Sequence, residues 1–102
     1  MKMYTNGANA ALRTKRFREA ANYCERALEM EPGHIKASYF LAKAKFLMGH
    51  LSESRNLLQK INSSHPNQQE VLDLLFQIVK QEKADAQVSK QLAMQMANAF
   101  KL

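Results

Sequence analysis

The side chains that could do chemistry in this chain stand apart from one another. His34, His50 and His65 are far apart in the sequence, and none has a second histidine or a cysteine at the spacing that places two metal ligands on one helix face. Cys24 is the single cysteine, so it cannot form an internal disulfide, and we expect it to pack inside the protein. There is no glycine-rich phosphate loop and no Ser–His–Asp pattern. We therefore predict no metal, no cofactor and no enzymatic activity.

Positive charge is the chemical property that stands out. Lys and Arg exceed Asp and Glu by six, and residues 1–50 hold nine basic against four acidic side chains. Such a surface favours an acidic partner, which could be a peptide, a nucleic acid or a membrane. The densest basic run, residues 13–18, lies on a predicted turn and lacks the interleaved aromatic residues of single-strand binders. No apolar run is long enough to span a bilayer. A protein or peptide is therefore the expected partner.

The spacing of two prolines predicts the helices that carry these charges. Pro32 and Pro66 are 34 residues apart, and the segment before each reads in a similar way. Small residues recur at the matching places, with Ala8 repeated by Ala42 and Ala20 repeated by Ser54. This pattern resembles the tetratricopeptide repeat, a helix–turn–helix unit in which two helices cross closely. In the second unit, Lys45 stands where the repeat pattern has an aromatic residue and Ile61 stands where it has a small one. The second unit is therefore degenerate.

Apolar periodicity predicts an all-α fold. We expect helices over residues 3–14, 17–30, 35–48 and 51–61, and then one long helix of about 30 residues with Asn67 as its N-cap. Two helices broken near residues 84–86 are the alternative. The architecture is a solenoid of two repeats, residues 1–34 and 35–67, with an extended capping helix at 68–102. Because such solenoids usually need about three repeats, we expect a fragment of a longer protein.

The end of the chain adds a second resemblance. Residues 96–102 read Met-Ala-Asn-Ala-Phe-Lys-Leu, which resembles the close of the terminal helix in the large immunophilins. These are prolyl isomerases with a C-terminal tetratricopeptide domain, and two repeats followed by one long helix match that layout. The resemblance implies a non-catalytic interaction module of a co-chaperone. Its partner would be the acidic C-terminal tail of a heat-shock chaperone.

In that family, basic and amide side chains on the inner helices hold the carboxylates of the tail. The resemblance assigns Asn6 and Lys36 to two of these positions. Phe40 stands where the family has an arginine, so the clamp is incomplete in this chain. The positions of the family's first repeat have no counterpart here.

The spacing of residues on the inner helices predicts a groove independently of the resemblance. Its candidate residues come from two helices and combine cations, amides and aromatic rings that would suit a peptide with carboxylates and an apolar anchor. They are Lys2, Thr5, Asn6, Asn9 and Arg13 from the first helix, and Lys36, Tyr39, Phe40, Lys43 and Phe46 from the third. The alternative is that Tyr39 and Phe46 belong to the core and that the lysines are only solvated.

The second functional hypothesis is a degenerate repeat scaffold that mediates self-association or docking to a partner other than a chaperone. The first hairpin has no neighbour before it, so an outer face with Met3, Ala10 and Ala11 should be partly uncovered. The long helix offers an apolar stripe to cover it, formed by Leu92, Met96 and Phe100. A basic helical domain associated with nucleic acid is a third hypothesis. The chain opens without the apolar stretch of a signal peptide, so we expect the cytoplasm or the nucleus as its location.

Overall fold

The computed structural model describes the backbone of residues 2–99 and the side chains of residues 4–85. Five helices and no strand occur in this part of the chain. They are α1 (Lys2–Arg13), α2 (Phe17–Met30), α3 (Ile35–Leu47), α4 (Leu51–Ser64) and α5 (Gln69–Ala99). The prediction of an all-α fold is therefore confirmed. The single continuous α5, 31 residues long, confirms one long helix in preference to two.

The end of α4 and the start of α5 differ from the prediction. Helix α4 continues to Ser64, because the hydroxyls of Ser63 and Ser64 donate to the carbonyls of Gln59 and Lys60 one turn back and do not interrupt the helix. Asn67 was wrongly predicted as the N-cap of α5. It adopts a left-handed conformation with φ +70° in the connecting turn, which asparagine tolerates better than most residues.

Small residues fill the places where the helices of each hairpin cross. Ala8, Ala20, Ala42 and Ser54 are all fully buried, as their spacing predicts. The hydroxyl of Ser54 donates a hydrogen bond of 2.6 Å to the carbonyl oxygen of Ala42 on the facing helix. The second hairpin therefore replaces an alanine methyl group by a hydroxyl that is satisfied across the crossing, which avoids the cost of an unpaired buried polar group.

Gly7 allows a similar close approach between α1 and α2. A β-carbon at Gly7 would lie 3.2 Å from the ring of Tyr23, closer than ordinary van der Waals contact. The Tyr23 ring in turn lies 6.5 Å, centroid to centroid, from that of Tyr4. Glycine at this place in the repeat thus lets an aromatic ring of α2 pack directly on the backbone of α1.

Helix α3 is the central element and contacts each of the other four helices. Its sequence, Ile-Lys-Ala-Ser-Tyr-Phe-Leu-Ala-Lys-Ala-Lys-Phe-Leu, is accordingly apolar on more than one side. Leu41 and Ala44 face the core of the first hairpin. Ala42 faces the core shared with α4 and α5. Each end of the molecule is therefore held through this one helix.

Helix α5 covers the second hairpin with one of its sides. Val71, Leu74 and Ile78 are buried against α3 and α4. An ion pair between Arg55 of α4 and Glu82 of α5, 2.5 Å long, fixes the packing further along. No helix in the described part of the chain has the length and apolarity needed to cross a bilayer.

The predicted open face of the first hairpin is only partly correct. Ala10 is exposed, but Ala11 is buried in the core beside Ala8 and Cys24, because a residue three positions after Ala8 lies on the same side of the helix. The side chain of Met3 lies outside the described residues.

Enlarging a crossing residue tests the importance of close helix approach. We predict that Ala8→Leu or Ala20→Leu lowers the free energy of unfolding by roughly 1–3 kcal/mol, because the added atoms overpack the crossing. Ala10→Leu adds the same atoms to an exposed position of α1 and should change stability little. Thermal and urea unfolding followed by circular dichroism would measure all three variants. Equal stability of Ala8→Leu and Ala10→Leu would contradict the assigned crossing.

Candidate functional site

The helices form two layers, and one of them provides the candidate site. Helix α3 approaches both α1 and α5 on the same side of the molecule, whereas the backbones of α2 and α4 stay further apart in the described residues. The layer of α1, α3 and α5 is therefore the more tightly packed one. In a helical-repeat solenoid the tightly packed layer lines the concave surface.

A cavity of about 510 Å³ opens in this layer between α3 and the beginning of α5. Its walls combine two lysines, two aromatic rings, an amide and a carboxylate. The residues are Ile35, Lys36, Tyr39, Phe40 and Lys43 from α3, and Gln68, Glu70 and Val71 from the segment that leads into α5. The structure thus brings Lys36, Phe40 and Lys43, which were predicted as groove residues, to one cavity.

Phe40 positions Lys36 within the cavity. The Lys36 ammonium lies 5.8 Å from the centroid of the Phe40 ring, within the range of a cation–π interaction. The Tyr39 ring lies 6.1 Å from that of Phe40 and is tilted against it. The arginine that the resemblance implies is therefore replaced by an apolar wall that holds a neighbouring cation.

Tyr39 contributes an uncharged hydroxyl to the same cavity. Burial is the main cause that raises the pKa of its phenol above the usual value, and the carboxylates of Glu70 and Asp73 raise it further. The neutral phenol can both donate and accept a hydrogen bond at physiological pH. Tyr39 and Phe46 also pack against the second core cluster, so the alternative that places them in the core is partly correct.

The first turn of α3, which carries Lys36, is fixed by a histidine. The Nδ1 atom of His34 accepts a hydrogen bond of 3.1 Å from the backbone N–H of Ala37. This bond satisfies one of the N–H groups that lack a partner at the start of a helix. This structural role of His34 could not be predicted from the sequence, because histidine is not a preferred N-cap residue.

The candidates on α1 do not line this cavity. Asn6 and Arg13 are exposed and Asn9 is half-buried on the neighbouring helix of the layer. Thr5 is buried, so it cannot form an open wall. The side chain of Lys2 lies outside the described residues. Peptide contacts by Lys2, Asn6, Asn9 and Arg13 therefore stay predictions.

Four lining residues were missed: Ile35 at the start of α3, and three residues that come from beyond the repeats. Gln68 directly precedes α5 and Glu70 and Val71 lie in its first turn, and only the packing of α5 beside α3 brings them to the site. Phe46 lies further along the same layer, where it lines a shallower depression with Gln77, Lys80, Gln81 and Ala84 of α5.

Lys45 and Cys24, which lie outside the cavity, have structural roles. Lys45, at the place where the repeat pattern has an aromatic residue, forms an ion pair of 3.1 Å with Glu53 of α4. Cys24 is buried in the first core cluster. Its burial, assisted by the charge of Glu25, raises the thiol pKa to about 12, so the reactive thiolate is scarce at neutral pH.

Two further predictions concern metal binding and self-association. No group of three or more His, Cys, Asp or Glu side chains suited to a metal occurs among the described residues. The apolar stripe of Leu92, Met96 and Phe100 lies outside the residues whose side chains are described, so self-association through it stays a prediction.

Comparison with known proteins identifies the family. A family model of the tetratricopeptide repeat matches residues 11–78. Human tetratricopeptide repeat protein 12 is 35% identical over 86 residues, which cover 83% of this chain and 12% of that protein. Human FK506-binding protein-like is 36% identical over 64 residues, which cover 63% of this chain and 18% of that protein. The chain belongs to the tetratricopeptide repeat family and spans less than a fifth of either relative.

A solved structure shows the same architecture. The first tetratricopeptide domain of Spaghetti (RPAP3), bound to the HSP90 peptide SRMEEVD, superposes with a TM-score of 0.75 and 26% identity. The match covers 78% of this chain and 64% of that one. The predicted solenoid is thereby confirmed. The FK506-binding protein-like relative confirms the resemblance to the immunophilins.

Replacement of His34 tests its capping role at the start of α3. We predict that His34→Ala lowers the free energy of unfolding by about 1 kcal/mol, because the Ala37 N–H loses its acceptor, whereas His34→Asn keeps a side chain that caps well. His50 precedes α4 without a side-chain capping bond, so His50→Ala is the matched control and should have little effect. Urea unfolding of the three variants would measure this. Equal losses for His34→Ala and His50→Ala would refute the capping role.

Proposed function

We propose that this chain is a peptide-binding module whose concave groove takes an acidic peptide with an apolar side chain, such as the tail of a heat-shock chaperone. The observation that carries the proposal is the cavity in which Lys36 and Lys43 flank the rings of Tyr39 and Phe40. Cations beside an apolar wall complement a segment that alternates carboxylates and apolar side chains. In this proposal the two repeats, residues 1–67, carry one wall of the groove, and the beginning of the capping segment, residues 68–102, supplies the opposite wall.

The peptide in the RPAP3 complex has this composition. Its sequence, SRMEEVD, contains two glutamates and one aspartate beside methionine and valine. In the present chain, Lys36 and Lys43 would receive carboxylates through charge-assisted hydrogen bonds. Phe40 and Val71 would contact an apolar side chain. The neutral phenol of Tyr39 would donate to a backbone carbonyl or a carboxylate.

Glu70 restricts which peptides fit. Its carboxylate lines the same cavity, so an acidic side chain placed next to it would be repelled. Carboxylates should therefore lie toward Lys36 and Lys43 on α3, and a neutral or basic side chain should lie toward the start of α5. The groove thus favours a particular direction of the peptide.

The proposed role is non-catalytic and located in the cytoplasm or nucleus. Cys24 is buried with a pKa of about 12, which removes the most nucleophilic side chain of the chain from catalysis at neutral pH. A single cysteine gives no internal disulfide, which is typical of proteins in reducing compartments. A prolyl isomerase domain elsewhere in a parent protein is compatible with this role.

Calorimetric titration with the peptide SRMEEVD tests the proposal. We predict that Lys36→Ala weakens binding roughly tenfold, because a hydrogen bond to a charged group contributes about 1.5–3 kcal/mol, and that the loss shrinks at high salt, where exposed charges are screened. Lys60→Ala removes the same charge from α4, where Lys60 lines a different cavity, and should change the affinity little. No binding by the wild-type chain would contradict the chaperone-tail proposal.

The substitution Phe40→Arg distinguishes two explanations of Phe40. Either the carboxylate clamp lacks one arginine, or the groove is specific for peptides with a large apolar side chain. If the arginine of the family is what this chain lacks, Phe40→Arg should strengthen binding of SRMEEVD. If the Phe40 ring serves as the apolar wall, the same substitution should weaken binding of a peptide that carries a large apolar side chain. If the Phe40→Arg variant has a normal unfolding midpoint but binds none of the peptides, the Phe40 ring serves as the apolar wall.

A further inference from the structure

An exposed apolar stripe runs along α5 beside the side that packs on the hairpins, and Val79 of this stripe lies near Arg55 of α4. Leu72, Phe76 and Val79 are 38%, 70% and 42% exposed, respectively. With 100° of rotation per residue, these three share one side of α5, about a third of a turn round from the buried Val71, Leu74 and Ile78. The stripe is therefore a second apolar face of a helix whose first apolar face is already packed.

The spacing of this stripe is that of a helix-pairing seam. Leu72, Phe76 and Val79 follow one another at intervals of four and three residues, which is the a and d pattern by which two helices interlock side chains. Gln69 and Lys83 continue the same line at either end with long polar side chains. The apolar part of the seam is short, so a pairing through it should be weak and reversible.

The charges beside the seam indicate which helix fits it. Asp73 and Lys80 follow the seam residues Leu72 and Val79 directly, lie one heptad apart on the same flank and are both exposed. The Oδ1 atom of Asp73 accepts a hydrogen bond of 2.7 Å from Gln69 one turn earlier, which holds the carboxylate along the helix. The seam is thus acidic toward its beginning and basic toward its end.

This order of charges makes the seam complementary to itself in one orientation. When two copies of α5 pair antiparallel about a two-fold axis near residues 76–77, Asp73 of each copy lies opposite Lys80 of the other. Phe76 then packs beside Val79 of the second copy. In a parallel pair the like charges would lie side by side, which disfavours that arrangement.

We propose that the outward face of α5 is a self-association surface that pairs antiparallel with α5 of a second copy of this chain. Leu72, Phe76 and Val79 form the contact, and Asp73 with Lys80 sets the orientation. Glu70 and Val71, which line the peptide cavity, lie away from this face.

Sedimentation of the full chain over a concentration range tests the surface. We expect the wild type to dimerise at concentrations near 100 μM, well above a micromolar dissociation constant, and Phe76→Glu to remain monomeric. Met30→Glu introduces the same change at a 64% exposed apolar residue of α2 and should dimerise as the wild type does. A monomeric wild type, or a dimer unaffected by Phe76→Glu, would overturn the proposal. So would a dimer that only Leu92→Glu/Phe100→Glu disrupts.

Charge reversal tests the orientation independently. Asp73→Lys alone and Lys80→Asp alone each place two like charges opposite one another, so each variant should dimerise on the order of tenfold more weakly. An equimolar mixture of the two variants restores both opposite-charge pairs and should dimerise like the wild type. A mixture no stronger than the separate variants would overturn the antiparallel arrangement.

Discussion

Close approach of the two helices within each hairpin determines most of the remaining geometry. Ala8 and Ala20 in the first hairpin, and Ala42 and Ser54 in the second, are fully buried, and a much larger side chain there would overpack the crossing. In the second hairpin the Ser54 hydroxyl also bonds the Ala42 carbonyl across the crossing. Because each crossing is tight, α3 can contact four helices at once, and the residues on its free side are presented at fixed positions.

Helix α3 holds the side chains of the candidate site in fixed positions. Lys36, Tyr39, Phe40 and Lys43 all project from α3, whose first turn is fixed by His34. The opposite wall comes from the start of α5, which is held by its own buried side chains and by the ion pair of Arg55 with Glu82. A site built on two packed helices loses little conformational entropy when a peptide binds.

Most of the fold could be predicted from sequence, and the site only in part. Helical periodicity and the small residues at crossings are local signals, so the hairpins and the long α5 were found. The end of α4 was missed because Ser63 and Ser64 can either break a helix or bond its carbonyls, and the sequence does not distinguish the two. The contribution of Glu70 to the cavity depends on tertiary packing, which no spacing encodes. The contact of Lys36 with Phe40 is local, because the two residues are one turn apart on α3. The outward face of α5 was missed for the same reason, since Val71 and Leu72 look equally apolar in sequence.

The central claim is that peptides bind in the groove of the α1, α3 and α5 layer. A titration of the isotope-labelled chain with SRMEEVD, followed residue by residue by NMR, tests it most directly. If peptides bind in this groove, the largest chemical-shift changes should cluster at Lys36, Tyr39, Phe40, Lys43 and Val71, with smaller changes along α1 at Asn6 and Asn9. Changes concentrated on α2 and α4, or on the outward face of α5, would contradict it.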